Sequence, residues 1–187
     1  MKKIHFLFIA TILARLLDVI STAWGTPTLE RELNPFVSIL HFNWTGVIIL
    51  NLIVCIVFII IIYLYNEKYL SHLKKTGQLP VNSFKEYVSY TYYGTPNKFN
   101  AIFYSTPKNK KAFLYHLFYP VAISHIFYSI ILFINNISIT FFYNQYHNLC
   151  KIIKINLPRY LIFFGLIIYL ISIYFVIKNE YKEQRIK

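Results

Sequence analysis

From Phe36 to Tyr65 the chain carries no formally charged residue, a run of 30 positions. A helix needs about 20 predominantly apolar residues to cross the hydrocarbon core of a bilayer. Three further runs are long and apolar enough to do the same. Together they predict an all-α, polytopic membrane helix bundle with four transmembrane helices, at about residues 4–24, 44–65, 112–135 and 157–177. Residues 36–43 read as an amphipathic lead-in at the interface. The chain reads as one integral membrane domain over residues 1–187, with residues 66–111 as a basic, aromatic cytoplasmic loop.

Composition points the same way. Hydrophobic residues make up 57% of the chain and charged residues 14%, against about 25% charged in ordinary soluble domains. The net charge of +12 gathers at the ends of apolar runs, which suits contact with anionic lipid headgroups. No basic stripe, zinc spacing or RNA-binding signature is present, so nucleic acid is not an expected partner. Cys55 lies in an apolar run and Cys150 in a polar connection, so no disulfide is expected between them. No run of three or more cysteines and histidines accompanies either, so no metal site is expected, and the sequence leaves any cofactor open.

The first apolar run is the unusual one. Thr11, Arg15, Asp18 and Thr22 stand at i, i+4, i+7 and i+11, on one face of a helix. A charge at bilayer depth costs about 2.5–3.5 kcal/mol on insertion scales, so two of them need a reason. Arg15 and Asp18, three residues apart, can pair. The pair either neutralises itself and locks the helix into a bundle or lines a polar pocket. Lys2, Lys3 and the small Ser21-Thr22-Ala23 also fit a secretory signal, but two charges inside the run argue against it. Gly25-Thr26-Pro27 ends the helix, with Trp24 at the interface. In the connection, Asn34 suits a cap and Pro35 a helix start. Glu32 is then either a solvated carboxylate or a group folded over the mouth of an Asp18 pocket.

The later spans offer fewer polar groups. Asn51 is the one strongly polar residue of the second span. In the third, Pro120 removes the helix bond to the carbonyl of His116, which predicts a kink there. His125 follows, with Tyr128 and Ser129 at i+3 and i+4. A membrane histidine is either an interhelical donor or a ligand and proton carrier. At about 1.5 Å rise per residue, Asp18 and Asn51 fall at one height, with Arg15 and His125 near mid-membrane. Arg15, Asp18, Asn51 and His125 are thus placed to share one interior, with Glu32 and Asn34 above it. The candidate catalytic groups are Asp18, Glu32 and His125; Arg15, Thr22, Asn34 and Asn51 join them as candidate binding residues.

The loop of residues 66–111 holds eight lysines and two glutamates among many aromatics, broken by Gly77, Pro80, Gly94, Pro96 and Pro107. That mixture suits a segment lying on a membrane surface. Residues 137–156 fit an interfacial helix on the far side. The last span reads as lipid-facing, and the tail from Lys178 as basic and solvated. With the N-terminus inside, 14 Lys and Arg fall on the inner side and 4 on the outer. The imbalance predicts cytoplasmic N- and C-termini.

The run Leu17, Asp18, Thr22, followed by Glu32, Asn34 and Pro35, resembles the signature of an uncharacterised family of small bacterial and archaeal multi-pass membrane proteins, Asp-x-x-x-Thr then Glu-x-Asn-Pro. The likeness covers roughly the first two spans. Members of that family frequently carry a basic residue in the second span, where this chain has Asn51. The resemblance therefore implies that Arg15 supplies the positive charge. It implies membrane class and site location, and no reaction.

Three functions compete on these observations. The first is a non-enzymatic membrane component, such as a subunit, assembly factor or immunity-type protein, working with a protein partner or as a homo-oligomer. The second is a membrane-embedded enzyme acting on a lipid or lipid-linked substrate, with Arg15 as a phosphate or carboxylate clamp. No phosphate loop, nucleophile elbow or His-Glu-x-x-His motif supports it. The third is an oligomeric ion or solute carrier, since intramembrane charge pairs mark translocation paths.

Overall fold

The structure, a computed structural model, describes residues 2–29, 41–75, 79–153 and 157–184. Glu32 and Asn34 lie outside the described residues, as does their connection. Helix accounts for 85% of the structure, and the described residues contain no strand. The chain is an all-α multi-pass membrane protein. Among the described residues, four helical stretches are long and apolar enough to cross a membrane, Lys3–Gly25, Trp44–Lys74, Lys110–Phe141 and Tyr160–Gln184.

In chain order, α1 runs over Lys2–Gly25 and α2 over Trp44–Tyr63. A π-helical segment, Leu64–Leu70, leads straight into α3, Ser71–Lys75. Then come α4 (Phe84–Tyr93), a 3-10 turn (Phe99–Phe103), α5 (Lys110–Phe141), α6 (Tyr143–Ile153) and α7 (Leu157–Gln184). These divide into two compact units. One comprises Met1–Ile60 with Ser124–Ile168, the other Ile61–Ile123 with Tyr169–Lys187.

In the first unit, the entry to α2 is fixed by local bonds. The Asn43 side chain accepts from the Gly46 N–H at 3.0 Å, and the Trp44 indole donates to the Pro27 carbonyl at 2.7 Å. Leu29 and Val47 form a small core there with Phe42 and Trp44. A Cβ at position 46 would stand 3.0 Å from the Phe42 ring, so a larger residue there would have to push that ring aside.

In the second unit, helix persists beyond the apolar run, to Lys75 instead of residue 65. The reason is aromatic. Tyr65 and Tyr69, one turn apart, stack on Tyr119 and Tyr115 of α5 with centroids 3.7 and 4.8 Å apart. The π-helical turn lies where this packing begins; such turns often mark functional sites. α5 itself runs unbroken through Pro120. Its residues Ala112, His116, Tyr119, Ala122, Ile126 and Ser129 follow steps of three or four, and all are buried, which is the spacing of a packed helix seam.

α4 lies within the stretch read as a surface loop. Its start is a variant of the capping box, with the return bond made one residue before the cap. Ser83 accepts from the Glu86 N–H at 3.2 Å, and the Glu86 carboxylate accepts from the Asn82 N–H at 2.7 Å. Its end is Gly94, at φ 72°, whose N–H donates to the Tyr90 carbonyl at 2.9 Å. A left-handed residue here stops the helix at no steric cost only if it lacks a Cβ. Tyr87, Tyr92 and Tyr93 turn inward, whereas Phe103 and Tyr104 are exposed.

The caps set a first expectation. Ser83→Ala should cost about 1 kcal/mol, and Gly94→Ala about 1–2 kcal/mol, with Gly94→Asn milder. Thermal unfolding of the full chain in detergent reads this; three variants as stable as the parent would mean that these caps do not hold α4.

Candidate functional site

Each unit encloses one polar cluster. In the first unit, Arg15 is its centre, nine-tenths buried on α1. Its Nη1 donates to Asn51 Oδ1 of α2 at 3.1 Å, and its Nη2 donates to the Ser129 hydroxyl of α5. The same Nη2 stands 3.3 Å from Asp18 Oδ2, the i+3 ion pair. Asn51 is held in turn, its amide donating to the Val47 carbonyl at 3.0 Å. One turn along α1, Ser21 donates to the Asp18 carbonyl and accepts from the Asn136 amide, both at 3.1 Å. A guanidinium presents its donors in a fixed planar fork, so a single arginine joins three helices here.

Arg15, Asp18 and Asn51 therefore come together. His125 does not join them by a hydrogen bond. Its ring meets Phe58 edge-on at 4.7 Å, and its Nε2 has no partner among the described residues. Ser129, one turn further along α5, takes the place expected for His125. Thr22 uses its carbonyl to accept from Thr26, and its side chain is half-buried. Both cysteines are free, and the described residues hold no cluster of His, Cys, Asp and Glu able to take a metal ion.

In the second unit, the centre is Glu180, which the sequence reading assigned to a solvated tail. It is 1% exposed. Tyr65 of the π-helical segment donates to Oε1, and Tyr87 of α4 donates to Oε2 at 2.9 Å. His116 of α5 places Nε2 at 3.0 and 2.8 Å from the two oxygens. An ionised carboxylate offers about four lone-pair sites; three donors approach them here, with the imidazole N–H shared between the two oxygens. The far side of the imidazole is also engaged, Nδ1 lying 2.8 Å from the Tyr92 hydroxyl. Nε2 must carry a proton to face two acceptors. With a neutral ring, Tyr92 donates to Nδ1; with a second ring proton, the direction reverses.

Local structure delivers these groups. Tyr87 and Tyr92 share the inner face of capped α4. Asn109 ties that helix to the start of α5, its amide donating to the Thr91 carbonyl at 3.1 Å and its oxygen accepting from the Ala112 N–H at 3.1 Å. At the other end, Gln184 donates to the Leu73 carbonyl at 3.3 Å, and Lys74 pairs with Glu183 at 3.4 Å. The signal for Glu180 was in the sequence. Val176, Ile177, Glu180 and Gln184 continue one helical stripe, all buried, and that stripe runs past the point where hydropathy falls.

Beside this network lies an open groove of about 330 Å³, its surface almost wholly apolar. Val88, Tyr92, Phe99, Phe113, Tyr174 and Ile177 are among its walls, and His116 also lines it. Compared with family models, curated proteins and solved structures, the chain matches none.

Removing the hub should be severe. Glu180→Ala leaves His116, Tyr65 and Tyr87 without their acceptor, and losing one partner of a buried pair costs about 3–5 kcal/mol. Thermal unfolding beside Glu183→Ala, an exposed neighbour expected to lose less than about 1 kcal/mol, checks this; equal losses would refute the hub.

Burial first, and then the Glu180 carboxylate, hold the Tyr87 and Tyr92 phenols well above their usual range. An acid raised on folding stabilises fully below its unfolded value, near pH 10 for tyrosine, and loses that contribution as pH rises further. Stability should therefore fall above about pH 10, less steeply in the Tyr87→Phe/Tyr92→Phe double variant. Equal slopes in melts taken along a pH series would contradict this.

Proposed function

We propose that this chain is a non-enzymatic component of a membrane assembly, such as a subunit, an assembly factor or an immunity-type partner. The observation that supports it is the closure of Glu180: both oxygens accept from Tyr65, Tyr87 and His116 of the same unit. The buried acid–base pair of the second unit is thus engaged in joining helices. Arg15 does the same work in the first unit, bridging Asp18, Asn51 and Ser129. We place both termini in the cytoplasm, from the distribution of Lys and Arg. We read Asp18 as part of the helix-joining cluster, consistent with the likeness of its motif to the small multi-pass family.

One observation favours a second reading, an enzyme acting on a lipid or lipid-linked substrate. Tyr92 and His116 both border the groove, and Tyr92, His116 and Glu180 form a continuous acid–base chain. Such a chain is the arrangement by which a carboxylate orients an imidazole that moves a proton.

One experiment separates them. Purification from native membranes in mild detergent should retain a stoichiometric protein companion. Tyr92→Phe removes one hydrogen bond, about 0.5–1.5 kcal/mol, and should lower the melting temperature by a few degrees while the companion stays bound. A protein isolated alone that converts lipid, with turnover abolished by Tyr92→Phe, would replace the first reading with the second.

A further inference from the structure

The groove of the second unit has a shape and a charge that point to one occupant. Its floor is carbon. Phe113 comes from α5, Leu170 and Ile177 from α7, Val88 from α4, and Phe99 and Ile102 from the 3-10 turn. Two of these elements belong to candidate membrane spans and two do not, so the groove stands where spanning helices meet the segment beside them. A surface of this kind takes hydrocarbon.

Cations stand at its walls. Lys85 Nζ lies 5.8 Å from the Phe99 ring centroid. Lys178 Nζ lies 4.9 Å from the Tyr174 centroid and donates to the Tyr174 hydroxyl at 2.7 Å. Both rings are groove walls, and Phe84, the neighbour of Lys85, meets Tyr174 edge-on at 5.8 Å. Phe84 and Tyr174 thus close one wall, with Lys178 at Tyr174 and Lys85 at Phe99. Phe103 and Tyr104, next to Ile102, are among the most exposed large side chains in the molecule, 81% and 79%. Exposed aromatics beside lysines are the composition of a segment at headgroup level.

We propose that the groove holds one acyl chain of an anionic phospholipid, with Lys85 and Lys178 engaging its phosphate. The site is independent of whether the protein works as a subunit. It differs from general attraction of a basic protein to a membrane, because it requires a chain seated in the groove and a headgroup at two named lysines.

The test uses the purified full chain in a neutral detergent. Phosphatidylglycerol and phosphatidylcholine with identical chains are titrated separately, and bound lipid is counted by native mass spectrometry. The wild type should retain one phosphatidylglycerol in clear preference to phosphatidylcholine. Lys85→Gln/Lys178→Gln, which leaves the groove intact, should weaken phosphatidylglycerol binding about thirtyfold, the loss of two lysines at an anionic surface, and leave phosphatidylcholine unchanged. Ile173→Trp, which fills the groove, should weaken both lipids. Inorganic phosphate at equal concentration should not compete, since the chain supplies the hold. Equal retention of the two lipids by wild type, an unchanged preference in the double lysine variant, or full competition by phosphate would each overturn the proposal. Should the tryptophan variant fail to fold, the lysine variant and the phosphate competition still decide.

Discussion

A carboxylate taken out of water has to be met by donors, because leaving it bare costs more than any packing nearby returns. Glu180 is met by Tyr65, Tyr87 and His116, on the π-helical segment, α4 and α5. One pair of oxygens thereby sets where three other elements of its unit must be. The dependence is strongest for α4. At ten residues it is too short to persist alone in water. Its caps define its ends, but its place comes from Tyr87 on the carboxylate and Tyr92 on the imidazole. The tyrosine stack of the π-helical segment against α5 supplies the area around the carboxylate, and the hydrogen bonds supply the direction.

Arg15 solves the converse problem in the other unit. Here a cation is surrounded by acceptors: a carboxylate, an amide oxygen and a hydroxyl. Measured hydrogen bonds between membrane helices average only about 0.6 kcal/mol, so neither cluster is to be credited with large net stability. Their effect is selective. A helix rotated away from its place would leave a charge against hydrocarbon, at about 2.5–3.5 kcal/mol on insertion scales. Polar centres of this type act by excluding wrong arrangements of helices whose remaining faces, rich in Ile, Leu and Phe, are nearly interchangeable.

The spans and the first cluster were legible in the sequence because both obey simple periodicities. Length and hydropathy give four spans, and the spacing of Thr11, Arg15, Asp18 and Thr22 puts the charged pair on one face. Depth alone brought Asn51 to Arg15. It also brought His125, one turn from Ser129, and depth could not choose between residues a turn apart; rotation about the helix axis does. The second cluster was missed for a different reason. Hydropathy marks the end of an apolar run, and Glu180 and His116 sit where that signal weakens, among lysines. The continuing stripe through Val176, Ile177, Glu180 and Gln184 carried the information, since helical register survives where hydropathy does not. A charge count over a window of the lysine-rich loop likewise ignores which face each side chain takes, so it could not separate buried Tyr87, Tyr92 and Tyr93 from exposed Tyr104.

The closed network and the open groove explain one another. His116 and Tyr92 are polar residues in the wall of a groove whose surface is almost entirely carbon. They contribute carbon because their heteroatoms are engaged elsewhere, Nε2 with Glu180 and Nδ1 with the Tyr92 hydroxyl. Without that engagement each would present an unmet donor or acceptor to the groove, and such a wall favours water over hydrocarbon. The carboxylate of Glu180, itself out of reach of the groove's contents, thereby sets the groove's polarity. A site can be made apolar by a charge one residue behind its wall, provided that the wall's polar atoms are taken up by that charge or by one another.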